Sequence, residues 1–136
     1  MKLFYTLILL FLCFSISSQT LTEKQKEREK NKVEIYTPDE KDNIQRWFYE
    51  ATNKLELSET VRSEYNRILS DIVFDIRRLN DKDKDYSKTE IDTKFDALVK
   101  KANKEVKDIL TKEQYSMHLE NFGKLVRDVK VVLDKE

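Results

Sequence analysis

Apolar positions recur every three or four residues through four separate runs of this chain, and each run is preceded by a residue suited to starting a helix. The first run carries Ile44, Trp47, Phe48, Ala51 and Leu55. The second carries Val61, Tyr65, Ile68, Leu69, Ile72, Ile76 and Leu79. The third carries Ile91, Phe95, Leu98, Val99, Ala102, Val106 and Ile109, and the fourth Tyr115, Leu119, Phe122, Val126, Val129 and Leu133. That spacing puts each set on one face of an α-helix. The starts have a chemical basis. Thr37 precedes Pro38 and Glu40, Ser87 precedes Glu90, and Thr111 precedes Gln114; each hydroxyl can cap a helix while the third residue reaches back. Ser58 is a plain N-cap, with Glu59 placed to favour the helix dipole. The prediction is an all-α chain of four helices. The second and third run about 20 residues each and form a long hairpin about 30 Å in length, the first and fourth are shorter, and residues 80–87 make the bend.

Composition agrees with this pattern. One Gly and one Pro in 136 residues leave little material for hairpin turns or βα loops. Residues 1–18 read as a signal peptide: Met1-Lys2, an apolar stretch from Leu3 to Phe14, then small residues at 15–18. The apolar stretch is too short to span a bilayer, so no stable membrane insertion is expected after cleavage. Residues 19–36 read as a charged, flexible N-terminal arm or a frayed helix, with no apolar residue between Leu21 and Val33. Residues 37–136 form the single helical domain.

Charge narrows the function. The chain has 26 basic and 26 acidic residues, and loss of Lys2 with the signal leaves a net charge of −1, which gives no global attraction to nucleic acid. The one cysteine, Cys13, lies in the signal, so no thiol chemistry remains after cleavage. His118 is the only histidine and falls on the apolar side of the last helix, where one hydrogen bond at the core edge is expected. No metal-ligand set, nucleophile–base pair or phosphate loop is present, so neither a catalytic nor a cofactor role is expected. The run Asp81-Lys82-Asp83-Lys84-Asp85 has the alternation of a calcium loop, but Tyr86 stands where Gly is needed and Asp92 where Glu belongs; a solvated hairpin loop is expected.

Two helix starts carry a resemblance. Leu110, Thr111 and Gln114 form a Leu-Thr-x-x-Gln motif, and Leu57 with Ser58 form a partial one that has Val61 in the last place. Together with an export signal and a long helical hairpin, this resembles the periplasmic Spy/CpxP family over about residues 44–126. The same letters at Leu21–Gln25 have no apolar face behind them. The resemblance implies a thin, curved, all-α fold that pairs into an antiparallel homodimer. It also implies a periplasmic, ATP-independent chaperone, or holdase, whose concave face binds unfolded or stress-damaged envelope proteins. Some relatives regulate a sensor kinase or bind metal, so a stress regulator or sensor module is the first alternative. A secreted helical adhesion module is the second.

The candidate partner-binding residues lie off the apolar stripes. Tyr49, Phe74 and Met117 point away from the main faces, where they can hold unfolded segments or pack on a partner subunit. Basic residues cluster on the last three helices: Arg77, Arg78, Lys100, Lys101, Lys104, Lys124, Arg127 and Lys130. Of these, Arg77, Arg78 and Lys101 are the candidates for attracting acidic client segments. Gly123 inside the last helix predicts a close backbone approach or a bend.

Overall fold

The computed structural model describes residues 21–134; the signal segment 1–18 lies outside them. Among the described residues every regular element is an α-helix: α1 (Glu23–Asn31), α2 (Pro38–Asn53), α3 (Glu59–Ile76), α4 (Lys88–Lys107) and α5 (Lys112–Leu133). None is long and apolar enough to cross a membrane. The chain divides into two compact units at residues 30 and 31.

In the first unit α1 begins where the sequence suggested an arm or a frayed helix. Its start is closed by reciprocal bonds: Gln25 Oε1 accepts the Thr22 N–H at 2.8 Å, and Thr22 Oγ1 accepts the Gln25 N–H at 3.3 Å. Glu23 at the first turn and Arg28 and Lys30 at the last complement the helix dipole. No residue of this helix is buried, so capping and charge order are its local support.

The second unit starts earlier than the expected boundary at 37. Val33, Ile35 and Tyr36 are half-buried, and Glu34 pairs with Lys32 and Lys41. The Asn31 carbonyl accepts the Lys82 N–H at 2.8 Å, which ties the start of this strap to the α3–α4 bend. The four helices that follow start as expected. Thr37–Glu40, Ser87–Glu90 and Thr111–Gln114 each form both bonds of a capping box. Ser58 makes only the forward bond, because Val61 has nothing to return.

Packing is sequential with one gap. The helix α3 lies on α4, α4 on α5, and α2 on α5. Tyr65, Ile68, Leu69, Ile72 and Ile76 of α3 meet Phe95, Ala102 and Val106 of α4 and Phe122 of α5, with Leu55, Leu57 and Leu79 closing the ends. At 22 residues α5 is the longest helix, not one of the shorter pair. Trp47 and Leu119, both assigned to apolar stripes, are exposed. The positions that are buried instead are Ala51 and Thr52 in α2 and His118 and Phe122 in α5. The bend is not simply solvated: Asp81 is buried and accepts from Arg78 Nε at 2.8 Å.

Candidate functional site

Gln114 shows what the Leu-Thr-x-x-Gln motif does in three dimensions. Its Oε1 accepts the Thr111 N–H at 3.1 Å, and its own N–H donates to Thr111 Oγ1 at 3.2 Å. Its Nε2 then donates to the Leu55 carbonyl at 3.1 Å, 59 residues away. Leu55 and Leu57 are core residues of the α2–α3 link, Leu110 packs on that core, and Ser58 caps α3. The two motif-bearing links are therefore joined by one side chain. A glutamate caps equally well, as at 40 and 90, but has no N–H to give. The copy at Thr22–Gln25 makes only its local bonds among the described residues.

His118 is the second pin, and it lies in the core instead of at its edge, with two hydrogen bonds instead of one. Its Nδ1 is 3.0 Å from the Tyr65 hydroxyl and its Nε2 is 3.0 Å from Asn103 Oδ1. The Nε2–H tautomer satisfies both: Tyr65 donates to Nδ1, and Nε2–H donates to Asn103. The ring stacks between Tyr115 and Phe122 at 6.0 and 5.2 Å. Burial pushes its pKa down to about 4, so it is neutral at pH 7. Burial also pushes the Tyr65 hydroxyl up. This triad joins α3, α4 and α5. Among the described residues no group of three or more His, Cys, Asp or Glu side chains is placed to hold a metal.

The apolar side chains left in water surround a gap. Because α2 and α3 both lean on other helices and do not pack closely on each other, an open groove of about 1080 Å³ separates them. Phe48, Leu69, Val73, Phe122 and Leu125 supply its apolar lining, and Tyr49, 65% exposed, lies along it. Arg46, Arg62, Asn53 and Asn66 add polar lining, with Arg62 donating to Asn53 Oδ1 at 2.7 Å. Trp47, 38% exposed, lines a smaller hollow between α2 and α5 with Ile44 and Leu125. No sequence reading marked Trp47 as a surface residue.

Phe74 and Met117 are exposed as expected, but neither lines this groove, so the three off-stripe residues do not form one patch. The Arg78 guanidinium lies 5.9 Å from the centre of the Phe74 ring. Arg78 also holds Asp81, which gives it a structural task in the bend. Lys101 is exposed beside Glu105 at 3.9 Å. Arg77 lies instead at the wall of a smaller, more enclosed cavity that borders this groove.

The basic cluster divides. Lys100, Lys104, Arg127 and Lys130, joined by Lys107, line a second groove between α4 and α5 with Phe95, Val99, Tyr115 and Val126. Lys130 is held by Asp96 at 3.3 Å and Asp92 at 3.8 Å, and these carboxylates raise its pKa. Lys124 pairs elsewhere, with Glu120 at 3.0 Å. The arrangement offers apolar contact edged by cations and no reactive group.

No family model, curated protein or solved structure matches this chain.

Proposed function

We propose that the protein is an ATP-independent holdase exported to the periplasm, where it binds unfolded or stress-damaged envelope proteins as an antiparallel homodimer. The observation that carries this reading is the α2–α3 groove: apolar in lining, open to water and flanked by exposed Tyr49. An extended chain segment can lay apolar side chains into such a groove without any one sequence being required, because its lining supplies more apolar contact than fixed hydrogen bonds. Weak, reversible holding of this kind needs no nucleotide. The cationic α4–α5 groove adds attraction for acidic segments of the same clients. The resemblance at Leu110–Gln114, together with the N-terminal signal pattern, supports the envelope location.

The test is light scattering from an aggregating client, with the purified mature chain added and no nucleotide present. Suppression near stoichiometric ratios is expected. Aggregation that proceeds unchanged for several unrelated clients refutes the reading and favours a regulatory module with one specific envelope partner.

A further inference from the structure

Beneath the strap lies a cavity of about 140 Å³, more enclosed than the grooves and bordering the α2–α3 groove at Ile44, Val73, Phe122 and Leu125. Protein interiors seldom keep voids larger than a water molecule. A dry cavity of about 150 Å³ lined by Leu, Ile and Phe accepts a benzene ring. Here Ile44, Val73, Phe95, Phe122, Val126 and Val129 bring apolar walls from α2, α3, α4 and α5. The remaining wall is the irregular segment 33–36, whose Glu34 is tied to Lys32 and Lys41 by exposed ion pairs. Of all the walls, this is the one that can part without opening the core.

The charges along the lining favour one sign of ligand. Lys41 is engaged by Glu34, whose carboxylate these lysines hold down to about 2. Arg77 is exposed and has no ion-pair partner among the described residues. A ring seated in the cavity with an anionic group directed to Arg77 would meet both needs, apolar burial and charge pairing.

We propose that this cavity is a binding site for a small aryl carboxylate, with the ring among the valines and phenylalanines and the carboxylate on Arg77. The cavity borders the α2–α3 groove through Ile44, Val73, Phe122 and Leu125, but Tyr49 does not line it, so its test reads residues that belong to the cavity alone. The probes are phenylacetate and its neutral isostere phenylacetamide, titrated at millimolar concentrations into the ¹⁵N-labelled mature chain and followed by amide chemical shifts. Both should shift Ile35, Ile76 and Val129, which line the cavity and neither groove. Phenylacetate should bind about threefold more tightly, the scale of one partly exposed ion pair. Arg77→Gln should remove that preference while leaving phenylacetamide binding as it was. Val129→Phe should abolish both while the helical circular dichroism is kept. Equal affinity for the two probes in the unaltered chain, no shift at the cavity residues, or shifts spread over Tyr49, Phe74 and Met117 instead would each overturn the proposal.

Discussion

Gln114 performs a task that the glutamates of the neighbouring capping boxes cannot. Replacing it with glutamate keeps the cap and gains slightly from the helix dipole, yet leaves the Leu55 carbonyl without its donor. Gln114→Glu should therefore cost roughly 1–2 kcal/mol in urea unfolding. An unchanged midpoint would show that the bond to Leu55 contributes nothing. His118 makes a prediction in pH. Its folded pKa of about 4 lies below the ordinary histidine value of 6.5, so only the unfolded state takes up a proton between those values. Stability should fall as pH drops through that window, by up to about 3 kcal/mol. The depressed carboxylates of Glu34, Glu40, Glu64, Glu90 and Glu120 stabilise above about 4.5 and lose that contribution only below it. The slope between pH 6.5 and 5 therefore isolates the histidine. Urea midpoints at these two pH values should differ in the unaltered chain and converge in His118→Gln.

At the scale of elements, α5 runs through Gly123 for 22 residues without the close contact that the glycine suggested. A methyl group there would meet only the far end of Arg127, at an ordinary 3.5 Å. Gly123→Ala should raise stability by about 1 kcal/mol, seen as a higher thermal midpoint. The α2–α3 link shows the opposite situation. Glu56 adopts φ 51°, a left-handed conformation that glycine tolerates better. Its neighbours Leu55 and Leu57 are both buried, and that burial holds the link in place despite the backbone cost. The helix starts were legible because a capping box lies within four residues. The strap was not, because its three useful side chains, Val33, Ile35 and Tyr36, follow a highly charged segment and reveal their value only against α2, α3 and α5.

For the whole molecule, the feature with most consequence is that α2 and α3 are adjacent in sequence but do not pack closely on each other. The groove between them follows from that. Replacing Tyr49, on this groove, and Trp47, on the adjoining α2–α5 hollow, together by Ser should leave the helical circular dichroism intact, since both are exposed, and should weaken client holding several-fold in the scattering assay. Holding that is unaffected would move the client surface to the cationic α4–α5 groove, where raised salt should weaken binding instead.

Helix type, the four long helices, their starts and most of the buried faces follow from the sequence alone, because 3.6-residue periodicity and capping are local properties. Which faces were left open was decided by the tertiary structure. His118 reads as a core-edge residue until Tyr65 and Asn103 arrive from other helices to satisfy both nitrogens. Trp47 reads as core until α2 settles on α5 with an open hollow at Trp47, which stays 38% exposed. Arg77 reads as one cation among several until the strap and α3 place it on an apolar cavity. In each case the deciding neighbour lies tens of residues away, and a pattern confined to one helix carries no information about it.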